Sequence, residues 1–304
     1  MIISKTPYRI SFFGGGTDYP EWYLKNGGSV LSATIDKYIY ITCRVLPPFF
    51  EHKYRVVWSK TERVKKINDI ELNPVRVMLK RLKIKKGLEI HYDGDLPSRS
   101  GMGSSSVFVV GLTNLLYNFQ GKKISRNELA KKSIFFEQKV LDETVGSQDQ
   151  IAAAYGGFNK IKFYTNGKFE VYPLKLNKKK IYKLNRNLIL LYTGIKRTAH
   201  HIAKSYVNNL TNEKKNEMTQ ILSFVKEAEK YLKNGCFDEF GMLLNESWMA
   251  KKNLSRKMSS SPIDEIYDLA ISKGALGGKL LGAGGGGFFI FICKKEIQTK
   301  IIKK

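Results

Sequence analysis

The sequence lacks any apolar run of membrane-spanning length. Its longest apolar runs are LILLY at 188–192 and FFIFIC at 288–293, far below the roughly 20 residues that a spanning helix needs. The first residues, MIISKTPYRIS, lack the basic start and the apolar stretch of a signal peptide. We therefore expect a soluble, cytoplasmic protein with no membrane partner.

Cysteine is also scarce. Cys43, Cys236 and Cys293 are odd in number, scattered, and never in CxxC spacing. This pattern argues against a disulfide framework and against a structural zinc site. Three reduced thiols, mostly buried, are the expectation.

Acidic residues are outnumbered, with 27 Asp and Glu against 52 Lys and Arg and a net charge of +25. Such an excess suits nucleic acid, an anionic membrane or small anionic ligands. The lysines are spread along the chain, however, and the basic runs at 80–86 and 175–183 are short enough to be solvated surface. Charge alone does not separate these classes.

The order of patterns along the chain predicts an α+β fold with two domains. The 304 residues, 42% of them hydrophobic, suit two domains of roughly 150 residues. β-rich segments come first, then helices, for example over 74–85 and 127–146, and then a mixed region. A basic, Asn-rich crossing within 160–185 separates an N-terminal domain, 1–170, from a C-terminal domain, 185–304.

Residues 96–110, LPSRSGMGSSSVFVV, place two glycines and three serines between a predicted strand and a predicted helix. Backbone N–H groups at a helix N-terminus bind anions, and glycines let the backbone approach phosphate closely. The serines stand where a helix N-cap belongs. No lysine follows Gly103, so this is not a Walker A loop. A phosphate site and a capped helix behind a flexible loop both remain possible from these residues.

Two further glycine clusters flank this one. The first, PYRISFFGGGTDY at 7–19, brings Arg9 and Asp18 to the two sides of a glycine turn. The second, Gly282 to Gly287, matches GxGxxG but leads into a strand, which does not fit a dinucleotide fold. Tight turns explain each cluster singly; four consecutive glycines are costly in chain entropy and favour a close approach to a ligand or backbone.

Two carboxylates complete a set of residues suited to phosphoryl transfer. Asp149 begins a predicted helix, and Glu137 lies twelve residues before it. Asp149 can orient or deprotonate a hydroxyl nucleophile, and Glu137 with a serine hydroxyl can hold Mg²⁺. Backbone donors, a metal, a cation and a carboxylate are the parts that this chemistry requires.

Together these segments resemble the GHMP kinase superfamily of small-molecule kinases. Its first motif corresponds to Pro7-Tyr8-Arg9-Ile10 through Asp18, its second to Pro97–Ser106 without a gap, and its third to Gly282–Gly287. The motifs occur in the family's order and span nearly the whole chain. The resemblance implies an N-terminal domain like a ribosomal-protein fold and a ferredoxin-like C-terminal domain.

The resemblance implies ATP and Mg²⁺ as cofactors, with Asp149 and Arg9 as catalytic residues and Ser105 with Glu137 at the metal. The second motif then binds ATP through Pro97, Arg99, Ser100, Gly101, Met102, Gly103, Ser104, Ser105 and Ser106. The acceptor is assigned to Gly15, Gly16, Thr17, Asp18, Gly284, Gly285 and Gly286, together with Arg197. Trp58 is a candidate for the adenine wall, although a tryptophan in the core is the more common explanation of such a residue.

Within the superfamily, GGGTDYPEWY with VGSQDQ and AYGG is similar to the D-glycero-D-manno-heptose 7-phosphate kinases and less closely to L-fucokinases. This implies phosphorylation of the anomeric hydroxyl, with a cation such as Arg99, Lys196 or Arg197 for the sugar's own phosphate. Other acceptors, namely fucose, galactose or a mevalonate-like alcohol, remain alternatives, as does a basic RNA-binding protein. We expect small-molecule partners, no nucleic acid, and leave a homodimer open.

Overall fold

A computed structural model of the chain describes residues 1–98, 100–195 and 199–302, and for 199–201 the backbone alone. The strands are β1 (Ile2–Phe13), β2 (Gly28–Val45), β3 (Tyr54–Val57), β4 (Thr61–Val64), β5 (Leu88–Gly94), β6 (Phe158–Phe163), β7 (Phe169–Pro173), β8 (Leu188–Tyr192), β9 (Gly277–Leu280) and β10 (Phe288–Ile292).

The helices are α1 (Pro20–Asn26), α2 (Asn73–Arg81), α3 (Ser104–Phe119), α4 (Arg126–Phe135), α5 (Gln148–Tyr155), α6 (Lys178–Arg186), α7 (Ala199–Lys204), α8 (Lys215–Asn234), α9 (Phe237–Lys252), α10 (Ser261–Ser272) and α11 (Lys295–Ile302). Short 3₁₀ turns lie at 67–69, 207–209 and 256–258, and a π-helical turn covers Phe136–Val140. In the described part of the chain, no helix has the length and hydrophobicity needed to cross a bilayer.

Among the residues described, seven strands form the N-terminal sheet and three form the C-terminal sheet. The long strand β2 organises the first, because it pairs antiparallel with β1, β5 and β6 along different parts of its length. In the second, β10 lies between β8 and β9. The FFIFI sequence of β10 is buried throughout, as expected for a central strand covered on both faces. The predicted α+β class is confirmed.

Two predicted helices and the predicted basic crossing differ from the structure. The helix predicted over 74–85 ends at Arg81, because the chain turns into the left-handed region at Lys83 (φ 53°). The helix predicted over 127–146 ends in the π-helical turn, and Asp142 (φ 54°) then redirects the chain. The basic crossing contains α6, whose N-terminus is capped by the Asn177 side chain and whose buried residue is Leu184.

The two sheets are joined through the end of β1. Phe12 and Phe13 both stack edge-on against Phe240 of α9, with ring centroids 5.6 and 5.2 Å apart. Lys160 of β6 also pairs with Glu229 of α8 at 2.6 Å. The N-terminal strand that carries Arg9 is therefore held by apolar packing against the C-terminal helices.

Gly14, directly after β1, is required by this packing. Its φ is +81°, and a Cβ atom there would lie 2.0 Å from the carbonyl oxygen of Ser29 and 2.8 Å from a methyl group of Val225. The turn therefore needs both a left-handed backbone and the absence of a side chain.

We expect Gly14→Ala to destabilise the protein by about 3 kcal/mol or more, since a backbone clash adds to the left-handed penalty of about 1–2 kcal/mol. The matched control is Gly121→Ala, where φ is +73° but no atom lies within 4 Å of the added Cβ. Urea unfolding should show the control losing only the backbone penalty. Equal losses in the two variants would contradict the packing account.

Candidate active site

A cavity of about 710 Å³ opens between the N-terminal sheet, α3 and the C-terminal glycine loop. Its wall includes Arg9 and Asp149, which the sequence places 140 residues apart. The first turn of α3 and the first turn of α5 point into the same space. The cavity therefore collects residues from all three glycine clusters.

Arg9 and Asp149 form a bidentate ion pair. Arg9 Nε donates to Asp149 Oδ1 at 2.7 Å, and Nη2 donates to Oδ2 at 2.6 Å. Arg9 Nη1 also donates to the carbonyl oxygen of Gly101 at 2.9 Å. Arg9 is 3% exposed, whereas the Asp149 side chain is 20% exposed, so the carboxylate keeps one side toward the cavity. The pairing orients Asp149 and compensates its charge.

The second glycine cluster lies directly on this ion pair. Gly103 is the N-cap of α3 in the left-handed region, and a Cβ there would meet Asp149 Oδ2 at 3.0 Å. The prediction that serine side chains cap this helix is wrong, because Ser104–Ser106 form its first turn and no side-chain cap bond is made. All three serines line the cavity, and the first turn of a helix leaves backbone N–H groups without intrahelical partners, as an anion site requires. The Ser105 hydroxyl donates to Glu137, and the Ser106 hydroxyl accepts from the amide of Gln150.

Glu137 lies behind this first turn. It is fully buried, and it accepts hydrogen bonds from Ser105 Oγ at 3.1 Å and from the amide of Gln150. Burial raises the pKa of Glu137 to about 7. A carboxylate beside a hydroxyl is an oxygen donor set suited to Mg²⁺, and a cation there would relieve the cost of the buried charge. In the described ranges no cluster of three His, Cys, Asp or Glu side chains forms, so such an ion would share phosphate oxygens and water.

The GGGTD turn places its members differently. Asp18, Gly15 and Gly16 line the cavity. Asp18 accepts hydrogen bonds from the backbone N–H groups of Gly16 (2.9 Å) and Gln148 (3.2 Å), and burial together with the Asp149 charge raises its pKa. The Thr17 hydroxyl instead bonds to the backbone carbonyl oxygens of Gly14 in the turn and of Ser29 in β2, and Thr17 is fully buried, so it ties the turn to β2.

The third glycine cluster contributes through its first residues. Gly282 and Ala283 line the cavity. Gly284, Gly285 and Gly286 pack instead against Met258, Ile202 and Ile195, which lie behind the loop. Phe288 N donates to the Ser100 carbonyl oxygen at 3.0 Å, which ties this loop to the second glycine cluster.

The remaining residues predicted to bind ATP differ in how deeply they are buried. Pro97 is exposed, whereas Ser100 and Met102 are buried beneath the loop, and Gly101 lines the cavity. The predictions for Arg99, Lys196 and Arg197 fall outside the described residues.

One end of the cavity is apolar. Trp58, Leu72, Pro74, Tyr92 and Phe108 line it, which suits a planar aromatic base. Trp58 Nε1 donates to Glu62 Oε1 at 2.8 Å, and this bond orients the indole ring. The structure therefore places Trp58 at the cavity wall, partly buried and packed against the edge of the core.

Two buried lysines were missed by reading the sequence. Lys279 of β9 is 2% exposed and donates to the Phe12 carbonyl oxygen at 2.9 Å; burial, then the nearby Arg9 charge, lowers its pKa to about 7. Lys251 of α9 donates to the carbonyl oxygen of Gly282. Both line the cavity. The available signal was a lone lysine within the otherwise apolar LGGKLL segment before the glycine loop.

A helix N-terminus, an oriented carboxylate and buried cations around one cavity are the parts of a phosphotransferase site with an alcohol as acceptor. The matching family models are "GHMP kinases N terminal domain" over residues 72–157 and "GHMP kinases C terminal" over 228–304. The chain belongs to the GHMP kinase superfamily and is a phosphotransferase that acts on an alcohol group.

Its relatives include sugar kinases. A D-glycero-alpha-D-manno-heptose 7-phosphate kinase from Campylobacter jejuni is 32% identical over 99% of this chain and 92% of its own length. A galactokinase from Thermotoga maritima is 25% identical over 98% of this chain and 91% of its own. The crystal structure of a D-glycero-D-manno-heptose 1-phosphate kinase from Bacteroides thetaiotaomicron has a TM-score of 0.80 at 23% identity, covering 100% and 92% of the two chains.

The raised pKa of Glu137 predicts a pH-dependent stability. Its ordinary pKa is 4.5 and its folded value about 7, so this group's stabilisation is fully present below pH 4.5 and is lost as the pH rises through 7. We expect the stability of the wild type relative to Glu137→Gln to fall by about 3 kcal/mol from pH 4.5 to 8.

Urea unfolding across this pH range measures the difference, with the exposed Glu246→Gln as control. At pH 8, Mg²⁺ should restore part of the wild type's stability relative to Glu137→Gln if it binds the ionised carboxylate. A difference in stability between the wild type and Glu137→Gln that does not change with pH would show that Glu137 is not buried as described.

Proposed function

We propose that the protein transfers the γ-phosphoryl group of ATP to the anomeric hydroxyl of D-glycero-D-manno-heptose 7-phosphate. The product would be the 1,7-bisphosphate, a precursor of nucleotide-activated heptose for lipopolysaccharide or capsule. The observation that carries the reaction type is the Arg9–Asp149 pair, which faces the cavity beside the N-terminus of α3. The acceptor rests on the 32% identical relative and on the GGGTDYPEWY sequence.

The two heptose kinases are named for different sugar phosphates, the 7-phosphate and the 1-phosphate. The relative named for the 7-phosphate is 32% identical, whereas the structure named for the 1-phosphate is 23% identical and supports the fold alone. This favours the 7-phosphate as acceptor. We propose that Arg197 binds the phosphate of the acceptor and that Arg99 binds the ATP phosphates.

We also propose that the chain has two domains, 1–170 and 185–304.

In the proposed complex, ATP lies along the cavity with its phosphates at the first turn of α3. Backbone N–H groups there, aided by the helix dipole, hold the β- and γ-phosphates. The adenine lies at the apolar end, against Trp58. Ser105 and Glu137 would hold Mg²⁺, which supplies charge neutralisation of the phosphates when bound.

The hydroxyl oxygen of the acceptor would bond to the γ-phosphorus of ATP while the bond between that phosphorus and the ADP oxygen breaks. Asp149 would receive the proton of this hydroxyl. A sugar hydroxyl is a poor nucleophile, so an oriented carboxylate lowers the barrier. Arg9 restricts the rotation of Asp149 and leaves one side of the carboxylate toward the cavity. Positioning and charge stabilisation supply most of the remaining acceleration.

Asp149→Asn should lower kcat by about 10²–10⁴-fold with a small change in the KM for ATP, because the amide cannot accept the proton. Coupled measurement of ADP release with heptose 7-phosphate, mannose, fucose, galactose and mevalonate tests both the residue and the acceptor. The control is Asp93→Asn, an exposed carboxylate on β5. Unchanged turnover in Asp149→Asn would remove it from this role, and turnover only with another acceptor would reject heptose 7-phosphate.

Trp58 provides a direct signal of adenine binding. Of the three tryptophans, Trp22 and Trp248 are buried at 1% and 0% exposure, and Trp58 lines the cavity. ATP should therefore quench the intrinsic fluorescence, and Trp58→Phe should abolish the quenching and raise the KM for ATP. Trp248→Phe is the matched control. Full quenching in Trp58→Phe would place adenine elsewhere.

A further inference from the structure

In the described part of the chain, three buried side-chain atoms of the cavity wall have no hydrogen-bond partner: Ser104 Oγ, at the proposed phosphate site, and Ser11 Oγ and Gln148 Oε1. Ser11 and Gln148 are 5% and 8% exposed, both line the cavity, and Ser11 Oγ and Gln148 Oε1 are unpartnered. An unsatisfied buried polar group is destabilising. Such groups in the wall of a native cavity need a partner, which ordered water or a bound ligand can supply.

The Ser11 and Gln148 side chains flank one backbone position. A Cβ atom added at Gly15 would lie 3.5 Å from Ser11 Oγ and 3.6 Å from Gln148 Nε2. Gly15 lacks the positive φ of its neighbours Gly14 and Gly16, so its backbone does not itself demand glycine. The missing side chain instead leaves open space between the hydroxyl and the amide.

Lys279 approaches this space from the C-terminal sheet. An ammonium group has three N–H donors, and one of them is used by the Phe12 carbonyl oxygen, one residue beyond Ser11. Lys279 also lines the cavity and acts electrostatically on Arg9 and Asp18. In the part of the chain that the structure describes, the remaining N–H donors of Lys279 make no hydrogen bond, so they can bind an oxygen-rich ligand beside the Arg9–Asp149 pair.

We propose that Ser11, Gln148 and Lys279 form the acceptor-recognition surface, which hydrogen-bonds the hydroxyl groups of a polyol and selects sugars over alkyl alcohols. The inference rests on the proposed kinase reaction and deepens it by naming the acceptor class. A polyol satisfies all three groups. An acceptor with methyl or methylene groups at these positions would leave a buried hydroxyl, amide and ammonium unpaired, which is a strong basis for rejection.

The test is steady-state kinetics with heptose 7-phosphate and with unphosphorylated heptose. Loss of a neutral hydrogen bond should raise the acceptor KM about tenfold in Ser11→Ala, and loss of a charged one about 30–100-fold in Lys279→Met. The KM for ATP should change less than twofold in each. Gly15→Ala introduces no short contact and should fold normally, but its methyl group occupies the hydroxyl space, so its acceptor KM should also rise.

Matched controls separate recognition from folding. Ser32 pairs with Ser11 across β1 and β2, and its buried hydroxyl is also unpartnered, but Ser32 does not line the cavity. Ser32→Ala and the exposed Lys294→Met should keep wild-type constants.

Unchanged acceptor KM in Ser11→Ala, Gly15→Ala and Lys279→Met, with wild-type turnover of the sugar, would overturn this inference and leave the kinase reaction standing. If Lys279→Met raised the KM for heptose 7-phosphate but not the KM for unphosphorylated heptose, the inference would also be overturned, because Lys279 would then bind the phosphate of the sugar and not its hydroxyl groups. Turnover of mevalonate and of no sugar would reject both the inference and the proposed acceptor.

Discussion

The Arg9–Asp149 ion pair is the interaction on which the arrangement of the site depends. It joins β1 to α5, and the Gly101 carbonyl oxygen bonds to the same guanidinium, so the loop before α3 is tied to it as well. The Arg9 side of the pair is buried, whereas the Asp149 carboxylate is partly exposed to the cavity. Buried ion pairs contribute little net stability, so orientation is the clearer benefit of this one.

The same location concentrates several groups whose burial is costly. Glu137 and Lys279 both have a pKa moved to about 7, in opposite directions from their ordinary values, and Asp18 has a raised pKa. Asp18 and Lys279 line the cavity where anions and hydroxyls are proposed to bind, and Glu137 lies directly behind the first turn of α3, bonded to Ser105. Clusters of perturbed groups in one cavity are typical of catalytic sites, because binding energy can offset what folding alone cannot.

Glycine serves three different physical needs here. Gly14 needs a left-handed backbone and room for the Ser29 carbonyl oxygen, and Gly103 lets the α3 loop rest on Asp149. Gly287 allows the C-terminal loop to reach Ser100, where an added Cβ would lie 2.1 Å from its carbonyl oxygen. The three glycine clusters are therefore neighbours in space because their backbones can approach without side chains between them.

The family, the α+β class and the two residues of the Arg9–Asp149 ion pair could be predicted from the sequence, since glycine motifs and charged residues at a strand end or helix start are local patterns. Lys279, Ser11 and Gln148 could not be recognised that way, because a lysine or serine in a strand looks like surface until its burial is known. The helix α6 was missed for a similar reason: Leu184 is its buried residue, and its remaining basic positions resemble a loop. Local sequence thus determined the chemistry available, whereas only the tertiary packing, of α3 and α5 beside β1 and of α9 and β9 at its end, decided which side chains share the cavity.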